Sequence, residues 1–295
     1  MFPKVSIIIL NWNGKEDTIE CLESLKNITY PNYEILIVDN GSTDGSTEFF
    51  EKKYPSIEII KNQENLGFAE GNNVGVYKVI ERGTEYLLLL NNDTIVDPEF
   101  LTELVVVAES NERIGIVGPM IYFYDKKDVI QSFGSKFIKF TGKIYTYGCG
   151  LQDKGQFNKT EEKELITGCV MLINKEVIEK IGCFDPVYFA YWEDVDLCTR
   201  TLKSNYKIVV TPKSKVWHKG SKSTGGYMNK NAYYYHVRNS IYYYYKNRPK
   251  LYAIYIVYLL SIYFISLIGF SIIKNKFDLL ESFIKGIRDS VAIIK

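Results

Sequence analysis

A chain of 295 residues is long enough for one large α/β domain with an appendage, or for two small domains. Its net charge of +1 hides an asymmetry: residues 219–295 carry 12 Lys/Arg against 3 Asp/Glu, a balance of +9, and residues 1–218 carry 24 against 32, a balance of −8. An acidic body with a basic and strongly apolar end argues against a nucleic-acid partner and for a negatively charged membrane surface.

The first half alternates strands and helices. Val5–Leu10 reads as a strand, Glu16–Leu25 as a helix, Glu34–Val38 as a strand and Asp44–Lys53 as a helix that Asp44 caps. Ile57–Lys61 is a strand, Gly67–Glu81 a helix, Tyr86–Leu90 a strand and Pro98–Ser110 a helix with a first-turn proline. This order predicts a doubly wound, mostly parallel sheet with right-handed crossovers. From 115 to 164 the pattern loosens, and Ile116–Phe123 and Lys136–Phe140 read as loops and edge strands. Order returns with a strand at Leu165–Asn174, helices at Lys175–Ile181 and Glu193–Ser204, and a strand at Lys207–Val210.

Residues 251–273 contain no charge and are flanked by Lys250 and Lys274. As a helix they would span roughly 35 Å, against about 30 Å of bilayer hydrocarbon. The alternative is a buried soluble helix or an oligomer contact. Tyr242–Tyr245 resemble an interfacial aromatic belt. Beyond them, Leu280, Phe283, Ile284, Ile287 and Val291 share one face of an amphipathic helix over 277–294. Cys21, Cys149, Cys169, Cys183 and Cys198 show no CxxC and no metal-ligand spacing, which fits reduced, buried thiols in a cytosolic compartment. The amino terminus runs straight into a strand, so no signal peptide is expected.

Asp39 and Asp93 each end a buried-type strand. In open α/β sheets ligands sit outside the carboxyl ends of the strands, so both acids point at one crevice. The small residues Gly41, Ser42, Gly45 and Ser46 would let a phosphorylated ligand approach the backbone. Asp93, after Asn91 and Asn92, has the chemistry of a carboxylate that shares a divalent cation with a diphosphate, or of an ordinary helix cap. Glu193, Asp194 and Asp196 crowd the start of a helix beside Tyr191 and Trp192. The helix dipole explains part of that crowding, and a general base explains another part. Asp196 has Arg200 four residues on as a natural partner. His218 closes a strand, as a core residue or as a metal ligand. The Gly/Asn-rich run 65–75 either offers backbone N–H groups to an anion or packs a helix tightly on the sheet. Neither a P-loop nor a GxGxxG fingerprint is present.

Taken in series, SIIILNWNG (6–14), ILIVDNGSTDGS (35–46), NLGFAEGNNVG (65–75), LLLLNNDTIVDP (88–98), GCVMLINKEVIEKIGCFD (168–185) and YWEDVDLCTR (191–200) resemble a family 2 glycosyltransferase, and within it the rhamnosyltransferase-like members. The resemblance covers residues 4–245, and the Arg238-Asn239 segment with the apolar end resembles the membrane-attached tail of these enzymes. It implies a GT-A fold in a catalytic domain of residues 1–245, followed by membrane-associated helices over 246–295. It also implies a nucleotide-sugar donor (dTDP- or UDP-linked), a divalent metal (Mn²⁺ or Mg²⁺) and an inverting single displacement.

Carried over by residue, the resemblance makes Asp194 the catalytic base and Asp93 and His218 the metal contacts. Leu10, Asn11, Asn13, Asp39, Asn65, Gly67, Asn72, Asn92 and Asp93 would line the donor site, and Gly168, Trp192 and Glu193 the acceptor side. Asn91 stands where many members carry a first Asp, which lowers the expected metal affinity. The implied acceptor is a glycan or lipid-linked hydroxyl at the cytoplasmic side of the cell membrane. Two rival readings are a catalytically silent membrane scaffold that binds sugar nucleotides and a sugar nucleotidyltransferase. The Asn-Trp-Asn-Gly after the first strand argues against the latter.

Overall fold

The computed structural model describes residues 2–220, 229–274 and 276–295. The predicted alternation is present as β1 (Val5–Asn11), α1 (Lys15–Leu25), β2 (Tyr33–Asp39), α2 (Ser46–Lys53), β3 (Glu58–Lys61), α3 (Gly67–Ile80) and β4 (Tyr86–Asn91). Then follow β5 (Thr94–Val96), α4 (Phe100–Ala108), β6 (Ile114–Phe123), β7 (Lys126–Ser132), the hairpin β8 (Ser135–Ile138) and β9 (Lys143–Thr146), and β10 (Glu161–Glu162). The second half continues with β11 (Val170–Asn174), α5 (Lys175–Ile181), a 3-10 turn at Pro186–Tyr188, α6 (Glu193–Lys203) and β12 (Lys207–His218). Last come α7 (Lys230–Asn247), α8 (Pro249–Tyr258), a π-turn at Leu259–Tyr263, α9 (Phe264–Lys274) and α10 (Phe277–Ile294).

The main sheet runs β3-β2-β1-β4-β11-β6-β12-β10, with β5 and β7 on its margins. Pairing is parallel through β3-β2-β1-β4 and again between β6 and β12, whereas β11 is antiparallel to both its neighbours. Alternation along the strands splits the core into two layers. Ile8, Leu36, Val38, Leu87 and Leu89 face α3 on one side, in a cluster that extends to the carboxyl-terminal helices. Ile7, Ile9, Ile37, Leu88 and Leu90 meet α1 and α4 on the other.

Several sequence expectations need correction. The stretch 116–123 is not an edge strand: β6 is buried along nearly its whole length because β11 and β12 flank it. The strand expected from Leu165 begins at Val170, and β12 continues past Val210 to His218. Helix α2 starts at Ser46, with Gly45 rather than Asp44 in the cap position, and the Asp44 carboxylate accepts from the Ser46 and Lys15 amides. Cys149 is exposed, unlike the other four thiols. Tyr243 and Tyr244 are fully buried core residues rather than an interfacial belt.

Helix α10 also turns a different face inward. It buries Leu279, Ser282, Phe283, Gly286 and Ser290 and leaves Ile284 and Val291 exposed. The small residues allow close approach: a Cβ on Gly286 would lie 3.0 Å from Val237 Cβ and 3.1 Å from the Tyr234 carbonyl of α7. Ile254 and Val257 of α8, Leu260 and Ile262 of the π-turn and Ile265 of α9 are exposed as well.

Gly75 shows how tightly α3 lies on the sheet. A Cβ there would sit 2.6 Å from Ile8 Cγ2 and 2.9 Å from Val38 Cγ2. Gly75→Val is expected to lower unfolding stability by about 1–3 kcal/mol through overpacking, read as a lower denaturant midpoint at unchanged slope.

Candidate active site

Parallel pairing in register puts Asn11 beside Asp39 and Leu10 beside Asn91 at the carboxyl edge of the sheet. Both Asn11 and Asp39 are buried, so each polar atom needs a partner. Asn11 Nδ2 lies 2.8 Å from Asp39 Oδ1, 2.9 Å from Ser46 Oγ and 3.1 Å from Ser42 Oγ, and its Oδ1 accepts from Thr18 Oγ1 at 2.9 Å. Asp39 Oδ2 accepts from the Ser42 amide at 3.1 Å. Asn11 is therefore committed to the protein: it fixes Asp39 and the loop after it. Asn13, at φ +50°, accepts from the Thr43 amide at 2.7 Å and ties the two loops together.

The small residues here answer mostly to the chain itself. Gly41 has φ +74°, and a Cβ would fall 2.7 Å from the Glu64 backbone. Gly71 and Gly75 pack on Leu10 and Ile8, which settles those two positions as helix-to-sheet contacts. Asn65 accepts from the Gly67 amide and from Asn40 Nδ2, shaping the turn into α3. Asn72 donates back to the Phe68 carbonyl, and Asn92 donates to Thr18 Oγ1.

Asp93 faces His218 because β5 pairs with the end of β12, setting Thr94 against His218. His218 Nε2 lies 3.1 Å from Asp93 Oδ1, yet that buried oxygen accepts no hydrogen bond. On the far side of the ring, His218 Nδ1 is 2.8 Å from Gln131 Oε1. In the tautomer that donates Nδ1–H to Gln131, Nε2 presents its lone pair to the carboxylate. Two acceptors then face one another beside an unsatisfied oxygen, the arrangement a divalent cation fits, with an outer-shell partner orienting the imidazole. Among the described residues no cluster of three or more His, Cys, Asp or Glu forms a closed metal cage. The pair suits an ion that draws its remaining ligands from water and substrate phosphate. Burial opposes the Asp93 charge, and the nearby Lys219 ammonium supports it. Lys219 is itself buried between Asp17 (2.6 Å) and Glu20 (2.9 Å), and its amide donates to the Asp93 carbonyl.

The acids of α6 reach the same edge. Asp194 Oδ2 accepts from the Gly168 amide at 3.0 Å, and the neighbouring Cys169 carbonyl accepts from the Asn91 amide at 2.8 Å. Two hydrogen bonds thus connect Asp194 to the strand end that carries Asp93. Burial raises the Asp194 carboxyl above its ordinary value, partly offset by the Gly168 and Val195 amides. Burial and the Asp194 charge push Glu193 well above its own, and Glu193 Oε2 has no hydrogen-bond partner. Asp196 is fully buried and pairs with Arg200 at 2.7 Å, as its spacing predicts. The Trp192 ring is buried against Phe137 and Tyr243.

The segment before α6 is strained. Phe189, Tyr191 and Trp192 all hold positive φ, at 60°, 66° and 75°. Such backbone costs about 1–3 kcal/mol per residue in bulky side chains and persists only where the surroundings enforce it. Gln131 and Lys219 escaped sequence reasoning, because each lies in a stretch without pattern and acts across the sheet.

A mixed, mostly parallel sheet with acids gathered at its carboxyl edge defines a glycosyltransferase of the GT-A type. The model of "Glycosyl transferase family 2" matches residues 6–182, and the chain belongs to that family. It is 26% identical over 210 residues to the low-salt glycan biosynthesis hexosyltransferase Agl10 of Haloferax volcanii, covering 70% of this chain and 64% of that protein. It is 25% identical over 222 residues to an N-acetylglucosaminyl-diphospho-decaprenol L-rhamnosyltransferase of Mycobacterium tuberculosis, covering 69% and 72%. The chain spans from 18% to 72% of the length of the curated relatives it matches here. A mannosyltransferase from Pyrobaculum calidifontis, solved with GDP-Man and Mn²⁺, has the same fold at a TM-score of 0.59 and 14% identity, covering 98% of this chain and 88% of that one. Family membership sets glycosyl transfer above the nucleotidyltransferase reading.

Two outcomes follow from this geometry. Gln131→Leu is expected to weaken Mn²⁺ affinity about 10–100-fold, as loss of an outer-shell partner does, measured by titration of the ion in the presence of a nucleoside diphosphate. Unchanged affinity would contradict the orienting role. Glu193 holds its proton longer in the folded chain than in the unfolded one, whose carboxyl titrates near about 4.3. Stability should therefore fall as pH rises from that value toward the raised one, and Glu193→Gln should flatten this part of the melting-temperature profile.

Proposed function

We propose that this glycosyltransferase moves a sugar, with inversion, from a nucleotide-sugar donor (dTDP- or UDP-linked) to a hydroxyl of a glycan or lipid-linked acceptor at a membrane. The observation that carries the reading is the Asp194 carboxylate, raised by burial and tied by Gly168 and Cys169 to the strand end that bears Asp93.

In this reading Asp39, held by Asn11 and Ser42, sits on the base or ribose side of the nucleotide. Leu10, Asn13, Asn65, Gly67, Asn72 and Asn92 shape the walls of the donor site. Asp93 and His218 are the residues that would hold a divalent cation. Such an ion, when bound, offsets negative charge on the departing diphosphate. Asp194 accepts the proton of the acceptor hydroxyl while that oxygen forms a bond to the anomeric carbon. The bond from that carbon to the nucleoside diphosphate breaks, and the diphosphate leaves with the electron pair. Glu193, its carboxyl raised by burial and by the Asp194 charge, lies with Gly168 on the acceptor side.

The catalytic unit is residues 1–245, and 246–295 attaches it to a bilayer on the cytoplasmic side. The helix over Pro249–Ser271 is long and apolar enough to cross a membrane, and only 17% of its most apolar stretch is buried. That low burial favours lipid over a soluble core, and the basic excess of residues 219–295 favours an anionic surface. The mycobacterial relative, an N-acetylglucosaminyl-diphospho-decaprenol L-rhamnosyltransferase, supports a lipid-linked acceptor, and the Mn²⁺ in the Pyrobaculum structure supports a divalent ion.

Asp194→Asn should lower turnover by at least about 10²-fold while leaving nucleotide affinity intact. In the unaltered protein kcat/KM should climb through a pKa above the ordinary carboxylate range, because the base works only when deprotonated, and the variant should lack that limb. Transfer at the normal rate by Asp194→Asn would overturn the assignment.

A further inference from the structure

We infer that Asn239, with Arg238, is a positioning residue for the catalytic carboxylate. It would hold the strained segment 188–192 in the backbone conformation that presents Asp194, so that α7 is part of the active-site machinery rather than only the root of the tail. This rests on Asp194 being the base of a glycosyl transfer.

The segment has no regular partner of its own, and its carbonyls need donors. Asn239 is buried, and its Nδ2 lies 2.8 Å from the Tyr188 carbonyl, 2.8 Å from that of Ala190 and 2.7 Å from that of Tyr191. One side-chain amide thus spans three of the five residues in question. Arg238 adds the Val187 and Tyr188 carbonyls, at 2.6 and 2.9 Å, and its Nε donates to Asn239 Oδ1 at 2.8 Å, which fixes the direction of the amide. The rings of the segment continue the contact. Phe189 stacks on Tyr235 at 5.1 Å, Tyr191 lies against His236 at 4.3 Å, Tyr188 meets Tyr242 and Trp192 meets Tyr243. Positions 235, 239 and 242 fall on one stripe of a helix, as do 236 and 243, so a single face of α7 serves the segment.

The opposite side rests on the donor half of the site. The Phe189 carbonyl accepts from the Ala69 amide at 3.0 Å, and a Cβ on Gly67 would fall 2.5 Å from that same oxygen. Only glycine, at φ +82°, admits the segment so close. The left-handed backbone of Phe189, Tyr191 and Trp192 is thereby clamped between α3 and α7 directly before Glu193 and Asp194. Released from the α7 side, the segment would relax toward ordinary backbone angles, and the first turn of α6 would move with it. A shift of about 1 Å in a catalytic group costs on the order of 10²-fold in rate.

The test uses the full chain and Asn239→Asp, which keeps the shape and the Arg238 contact but removes both N–H donors. Amide hydrogen exchange should quicken at least tenfold over residues 188–195, with β1 and β4 unchanged. Turnover should fall about 10–100-fold with nucleotide affinity unaltered. Added to Asp194→Asn, the substitution should cost nothing more, since both act through one carboxylate. Wild-type exchange over 188–195, or losses that multiply in the double variant, would overturn the proposal. Should Asn239→Asp fold poorly, Arg238→Lys gives the same reading at lower amplitude: local quickening supports the clamp, and none overturns it. A wild-type protein that transfers no sugar would sink the transferase chemistry, whereas the exchange pattern would still decide whether α7 clamps the segment.

Discussion

Every candidate functional side chain depends on the in-register parallel pairing of β1 with β2 and β4. That pairing brings Asn11 to Asp39 and Leu10 to Asn91 at one level of the sheet. A slip of one residue would turn Asn11 and Asp39 to the opposite face and separate the loops they anchor. The two core layers resist such a slip, because the alternating Ile and Leu residues would all change sides with it.

Once the strand ends are fixed, burial decides what each acid does. Asp39 is surrounded by donors and serves as a fixed acceptor. Asp93 faces His218 Nε2 at 3.1 Å with the Lys219 ammonium nearby, and it retains one oxygen without a hydrogen bond. Burial drives the Glu193 and Asp194 carboxyls upward, and the Asp194 charge adds to the rise of Glu193. Three acidic positions along one edge thus have three chemistries, and the differences come from neighbours supplied by other elements.

That origin explains what could be read from the sequence. The β/α order, the strand ends at Asp39 and Asp93, and the Asp196–Arg200 pair are local patterns, legible in runs of apolar residues and helical spacing. The central strand β6 was not legible as such, because its neighbours β11 and β12 come from some 50 and 90 residues further on. Gln131 and Lys219 act across the sheet from unpatterned stretches. The inward face of α10 was misread because Ser282, Gly286 and Ser290 are buried for closeness, not for hydrophobicity. Small residues carry no signal in a search for apolar stripes. Tyr243 and Tyr244 misled for the opposite reason, since ring chemistry suited to an interface serves equally in a core.

The carboxyl-terminal helices therefore have two surfaces with separate duties. One face of α7 meets the segment before α6, and the outward side of the helices that follow is apolar and uncovered. The account stands on a nucleoside diphosphate and a divalent ion sharing the carboxyl edge between Asp39 and Asp93. A crystal structure of the full chain with a nucleoside diphosphate and Mn²⁺ tests this most directly. The account predicts the ion on Asp93 and His218 and the base or ribose against the Asp39 loop. A nucleotide bound elsewhere, or an ion that leaves Asp93 and His218 untouched, would contradict it.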